Sequence, residues 1–233
     1  MRPVHRGSRP IDPNGKPIQF KEYGHARKAL IENMGQYCCY CNQKLPASLA
    51  VEHVQPKDPV PHLELEWTNF LLGCTNCNST KGDKLIDLDN YLWPDIHNTH
   101  LAFRYNEDGT IEVEPGLPAS IVQKAQNMLD LVGLQKYPND QSASDRRWKN
   151  RKDAYNKAKT ALDLFEEADR KGAGMEAAEF VAGWAPDSGF FSIWFKVFEK
   201  FPLVKAALIK GFPGTAPDAF DVHMNPIART NVL

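Results

Sequence analysis

Long apolar runs are missing from this 233-residue chain: nothing approaches the ~20 consecutive apolar residues that a bilayer-spanning helix requires. The nearest candidate, around Phe190–Phe198, is short and interrupted by Lys196. The opening stretch Met1-Arg2-Pro3-Val4-His5-Arg6-Gly7 has no apolar segment of the secretory kind, so we expect a cytoplasmic protein with no membrane partner. Excess charge is absent too. A formal net charge of -1 excludes a uniformly basic nucleic-acid binder, although the charge is unevenly spread. Residues 1–28 hold seven Lys/Arg against Asp12 and Glu22, and residues 146–159 hold seven against Asp153. Cysteine is scarce, with five in all, which excludes a disulfide-dense scaffold. Internal repeats and low-complexity segments are also lacking, which excludes a solenoid.

Periodicity divides what is there. Residues 1–22 are rich in Pro, Gly and Arg and predict an extended basic arm. Tyr23 to Gly35 has helical spacing and ends at a glycine suited to helix termination. Leu49 to Val54 is β-prone, and Pro56, Pro59 and Pro61 make the following stretch a loop. Asn78 to Lys84 opens a short helix. Residues 101–114 predict a hairpin about Asp108-Gly109. Helices are expected over Ala119–Val132, Ser144–Lys171 (with Ser144 as N-cap), Met175–Ala182, Ser188–Lys200 and Leu203–Lys210, before a loosely held tail from Gly214. The aromatic faces near the C-terminus (Phe190, Phe191, Trp194, Phe195, Phe198) suit an intramolecular core. The expected class is α+β: a small zinc-stapled core over 23–100 and a hairpin with a helical domain over 101–233.

Four of the five cysteines form two Cys-x-x-Cys pairs, Cys38/Cys41 and Cys74/Cys77. That spacing predicts a closed tetrahedral Zn²⁺ site, which is structural because four thiolates leave no open position. Cys39 reads as a small buried side chain. The pairs bracket Val51-Glu52-His53-Val54-Gln55-Pro56, and Asn78 follows Cys77 directly. Glu52 and Asn78 offer oxygen ligands and His53 a base that titrates near neutral pH, the equipment of a phosphodiesterase that uses a divalent cation. Adjacent strand residues normally face opposite ways, so Glu52 and His53 reach one phosphate only where the strand ends.

The order Cys-x-x-Cys, Glu-His, Asn, Cys-x-x-Cys-Asn-x-x-Lys over about Tyr37–Lys84 resembles the HNH endonuclease family in its ββα-metal form. The resemblance implies that His53 is the general base, Glu52 and Asn78 hold the catalytic cation, and Asn69 braces the loop. Glu replaces the more frequent Asp and Asn the more frequent His. Oxygen ligands of this kind suit Mg²⁺ or Mn²⁺. Lys57 and Lys81 are weaker candidates for phosphate contacts, as are Arg146, Arg147, Lys149 and Arg151 in the basic helix start. Trp93-Pro94-Asp95-Ile96-His97-Asn98 is ligand-capable but reads as a structural turn.

The start Met1-Arg2-Pro3-Val4 and the blocks Val51–Lys57, Trp67–Cys74, Asn76–Gly82, Trp93-Pro94-Asp95 and Asp145–Trp148 carry a narrower resemblance, to the PtuB-type nuclease subunits of Septu anti-phage systems, including retron-associated forms. It implies a PtuA-type ATPase partner of ABC/SMC-like fold and, in retron forms, a reverse transcriptase with its msDNA. DNA is the expected substrate. RNA, tRNA included, is the alternative, since a phosphate-and-metal site does not read the 2′-OH. A non-catalytic zinc module binding nucleic acid or protein is the rival reading, and it has no use for Glu52, His53 and Asn78 together.

Overall fold

The computed structural model describes residues 1–137 and 145–233; the expected cap at Ser144 lies outside them. Two antiparallel strands, β1 (Leu49–His53) and β2 (Phe70–Cys74), pair with His53 opposite Phe70 and Leu49 opposite Cys74. Helix α2 (Thr75–Lys81) leaves directly from the end of β2, which completes a ββα unit. Before it, a 3-10 turn (Tyr23–Ala26) runs into α1 (Arg27–Met34), which stops at Gly35 in a positive-φ conformation.

The second hairpin, β3 (Phe103–Tyr105) and β4 (Ile111–Val113), turns at Asp108-Gly109 as expected. Gly109 has φ +88°, and a Cβ there would lie 2.1 Å from the Trp148 carbonyl oxygen, so the turn fits only as glycine. Helices α3 (Ala119–Val132), α4 (Arg147–Arg170), α5 (Gly174–Ser188), α6 (Phe191–Val197) and α7 (Pro202–Gly211) follow. Helix α5 packs on α4 and α7, and α6 packs on α4. Phe190, Phe191, Trp194, Phe195 and Phe198 are all buried in this core. The class is therefore α+β, and no described helix is long and apolar enough to cross a membrane.

Three local expectations are corrected. Helix α5 is longer than expected because Pro186 is accommodated inside its last turn. Helix α6 begins at Phe191 because Gly189 and Phe190 both adopt positive φ, which interrupts the run from Ser188. The tail after Gly214 is anchored: the buried Asn98 amide donates to Ala219 O (2.7 Å) and Ile227 O (2.8 Å), and its backbone N–H reaches Leu233 O. The Trp93–Asn98 turn is closed by its own Trp93 N–H donating to His97 Nδ1 at 2.9 Å. Paired in this way, the polar side chains of that turn are structural.

The elements on either side of the expected boundaries interlock. Arg2, in the N-terminal arm, is buried and donates to Met34 O (2.6 Å) and Pro213 O (2.6 Å). Tyr37 Oη donates to Pro186 O at 3.0 Å, and Phe190 N–H donates to Asn42 O at 2.8 Å. The helical part thus sits directly on the turn that carries the first cysteine pair.

Candidate active site and zinc centre

The cysteines come together first. Cys38 and Cys41 lie on a turn closed by Asn42 N–H to Cys38 O (2.9 Å), with Asn42 at φ +61°. Cys74 is the N-cap of α2, its sulfur accepting from Cys77 N–H at 3.4 Å, and Cys77 lies in the first turn. The four buried sulfurs lie within 4.8 Å of one another, and Cys41 Sγ and Cys74 Sγ are 3.8 Å apart. A tetrahedral ion with ~2.3 Å Zn–S bonds places its sulfurs ~3.8 Å apart, so the cluster fits zinc. Cys39 is buried outside the cluster, where burial pushes its thiol up to about 12 and keeps it unreactive.

Arg147 completes this centre. Its Nη1 donates to Cys77 Sγ (3.0 Å) and Val132 O (2.9 Å), and its Nη2 to Gly133 O (2.7 Å) and Asp145 (2.6 Å). One guanidinium therefore offsets the charge of the thiolate cluster and satisfies carbonyls at the C-terminal end of α3. Arg151, one turn on, donates to Gly109 O (2.7 Å) and Leu134 O (3.0 Å). Both arginines are buried, which corrects their assignment as phosphate contacts. On α4, residues 147, 151, 154, 158, 161 and 165 form the inward stripe, so this face of the basic run points at unsatisfied carbonyls. Arg146 and Lys152 remain exposed, and Lys149 pairs with Asp153 at 2.8 Å.

The remaining candidates gather at the open end of the ββα unit, around a cleft of about 170 Å³ lined by Glu52, His53, Lys57, Asn78, Lys81 and Tyr23. His53 is the last residue of β1, so the strand ends where two adjacent side chains must serve one space. Its ring packs edge-on to Tyr23 and Phe70 at centroid distances of 4.9 and 5.4 Å. Nε2 lies 2.9 Å from Glu64 O, and a carbonyl only accepts, so Nε2 carries the proton and Nδ1 the lone pair. Burial lowers the imidazole pKa below its ordinary value, partly countered by that hydrogen bond, which favours the neutral form.

Asn69 holds the loop after β1 from two sides. Its Oδ1 accepts from Gln55 N–H (2.7 Å), and its Nδ2 donates to Gln55 O (2.9 Å) and Leu63 O (3.1 Å). Glu64, whose carbonyl fixes His53, follows Leu63 directly in the chain. Asn69 thus acts on the base through the loop and does not itself line the cleft.

Glu52 is buried, and desolvation pushes its carboxyl above the usual range while the Lys81 ammonium pulls it back. Lys81 Nζ lies 3.0 Å from Glu52 Oε1 and donates to His53 O at 2.7 Å. Only 2% of the Lys81 side chain is exposed, which corrects its reading as a phosphate contact. It instead fixes the strand end and neutralises Glu52. The ammonium thus holds Oε1 as a buried ion pair. Lys57 is half-buried, 3.7 Å from Glu64 Oε1 and over the Tyr23 ring.

Sequence reasoning missed Gly73. A Cβ there would meet Glu52 Cβ at 3.2 Å and Asn78 Cβ at 3.8 Å, so this glycine opens the space in which strand and helix side chains converge. The signal was present as a glycine inside a β-prone run directly before a ligand cysteine. The Glu52 carboxylate and the Asn78 amide both line the cleft, and oxygen donors of this kind suit a hard divalent cation.

Comparison with known proteins places these features. The family model described as HNH endonuclease matches residues 38–84, the stretch that holds all four ligand cysteines, Glu52, His53 and Asn78. The Septu protein PtuB of Bacillus thuringiensis is 38% identical over 72 residues, 30% of this chain and 27% of that protein. The chain therefore matches about a quarter of the length of this relative. The ββα unit, the four-cysteine cluster of zinc dimensions and the histidine at the end of β1 all fall within residues 38–84, the stretch that matches the HNH endonuclease model.

Proposed function

We propose that the chain is the nuclease subunit of a Septu-type anti-phage system, hydrolysing phosphodiester bonds with a divalent cation. The observation that carries this reading is the convergence of Glu52, His53 and Asn78 on one cleft, with His53 locked as a base at Nδ1. In this mechanism neutral His53 takes a proton from the attacking water, and Glu64 O holds the ring in register. Glu52 and Asn78 would hold Mg²⁺ or Mn²⁺, which as a Lewis acid stabilises charge on the phosphate and leaving oxygen. Lys81 already neutralises Glu52, so Glu52 and Asn78 alone would hold the cation weakly. Asn69 positions the loop. Lys57, at the cleft, and the exposed Arg146 and Lys152 are the cations proposed to meet the phosphate backbone.

DNA is the first substrate to test and tRNA the second. The partner proposed from the PtuB likeness is a PtuA-type ATPase, joined in retron-type systems by a reverse transcriptase and its msDNA. The test is a cleavage assay on supercoiled plasmid, phage DNA and tRNA with Mg²⁺ or Mn²⁺, with and without the co-expressed ATPase. His53→Ala is expected to lower the rate by about 10²–10⁴-fold with zinc retained. Glu52→Gln and Asn78→Ala are expected to recover in part at raised Mn²⁺. Near-wild-type cleavage by His53→Ala would remove the base from the mechanism. Nucleic-acid binding with no cleavage under any of these conditions would favour the non-catalytic zinc module.

A further inference from the structure

A second cavity, of about 420 Å³, lies between the β3–β4 hairpin, α6, α7 and the C-terminal tail, and it shares no lining residue with the nuclease cleft. Its size falls within the roughly 300–1,000 Å³ of small-molecule sites, and Phe103, Tyr105 and Phe195 give it an aromatic wall. Three polar groups on the wall lack partners that the fold would normally supply. Lys205 is only 5% exposed, yet its ammonium reaches nothing stronger than Asn225 Oδ1 at 3.3 Å and the Phe195 ring at 5.7 Å. Among the described residues it has no carboxylate partner. Ser192 Oγ and His100 Nδ1 are buried with no hydrogen bond.

The other charged residues lining the cavity are paired: Lys196 with Glu199 at 2.5 Å, and Arg104 with Glu114 at 3.7 Å. Lys205 is the lining cation without a carboxylate partner among the described residues. A buried ammonium without an anion is strongly unfavourable, as are unsatisfied hydroxyl and imidazole groups beside it. Fixed, unmet polar groups against an aromatic wall are the features of a ligand site.

We propose that this cavity binds a small organic anion, its phosphate or carboxylate head received by Lys205 and its planar body against Phe103 and Phe195. Burial, the Met1 ammonium and the nearby Lys196 and Lys205 lower the pKa of the lining His100 to about 3, so it brings no competing cation. The proposal does not depend on the nuclease reading, since the two sites are separate.

The test uses the full chain with zinc bound and two measurements, isothermal titration calorimetry and thermal shift. The probes are nucleoside monophosphates, benzoate and inorganic phosphate, with nucleosides and benzamide as uncharged controls. One or more of the organic anions is expected to bind one-to-one and raise Tm, while the uncharged controls do not. Monophosphates and benzoate distinguish the two kinds of head group. Lys205→Met is expected to weaken binding at least tenfold with the unliganded Tm equal or higher, because the unpaired charge is gone. Lys205→Gln, which removes the charge and keeps a polar tip for Asn225, is expected to weaken it similarly and serves as the folded variant if Lys205→Met is insoluble. Binding of none of the organic anions, equal binding of the uncharged controls, or affinity unchanged in the variants would overturn the proposal.

Discussion

Lys81 shows how one residue sets the chemistry of its neighbours. Its ammonium is shared between Glu52 and the His53 carbonyl, so it fixes both the charge of the proposed ligand and the position of the proposed base. Lys81→Met leaves a buried carboxylate unpaired and is expected to cost ~3–5 kcal/mol in denaturant unfolding. The double variant Glu52→Gln/Lys81→Met is expected to regain much of that stability without regaining cleavage. Equal losses in the single and double variants would show that the pair is not the source of the cost. His100 gives a second test by pH. Its folded pKa of about 3 lies below the ~6.5 of an unfolded histidine, so the unfolded chain binds the extra proton between the two. The stabilising contribution is complete above pH ~6.5 and shrinks as pH falls below it, by up to ~1.4 kcal/mol per unit. His100→Gln is expected to flatten that part of the stability profile between pH 6 and 4, measured in urea. A profile as steep as that of the wild type would refute the assignment.

At the scale of elements, the link between α3, α4 and the zinc centre matters most. Helix α3 runs from Ala119 to Val132, the limits read from its periodicity, and ends at Gly133 in a left-handed conformation. Its terminal carbonyls are taken by Arg147 from the start of α4, which also donates to Cys77 Sγ. Arg147→Met removes all these bonds at once. Groups of this kind around a metal site typically change its affinity by about 10–100-fold. Weaker zinc retention against a chelator is therefore expected, together with a lowered Tm. Arg146→Met, one residue earlier and exposed, serves as the control and is expected to change neither. Matching behaviour in the two variants would contradict the structural role of Arg147.

At the scale of the molecule, the four-cysteine centre is the floor on which the helices stand. Phe190 N–H bonds to Asn42 O, Tyr37 Oη to Pro186 O, Lys44 pairs with Asp187, and Arg147 reaches Cys77. Metal binding and folding are coupled in sites of this type, so removal of zinc should loosen α5 and α6 as well as residues 38–84. Titration with a strong chelator is expected to give coincident transitions by far-UV circular dichroism and by tryptophan fluorescence, which reports on buried Trp194. Helical signal that outlasts the loss of the zinc site would show two independent units.

The sequence by itself determined the chemistry of the core. Two Cys-x-x-Cys pairs, Glu-His between them and Asn after the last cysteine are short-range patterns, and a metal site limits how such residues can be arranged in space. Helix α3 and the β3–β4 hairpin were legible for a similar reason: periodicity and turn residues are local signals. What the tertiary structure decided was the partner of each charge. Arg147, Arg151 and Lys81 look solvated in the sequence, since nothing in their neighbourhood along the chain shows the carbonyls and carboxylate that meet them. The tail reads as unpatterned because Asn98, which anchors it, lies 121 residues before Ala219. Burial of a long polar side chain depends on what the fold brings to its tip, and that geometry exists only once distant segments have closed on one another.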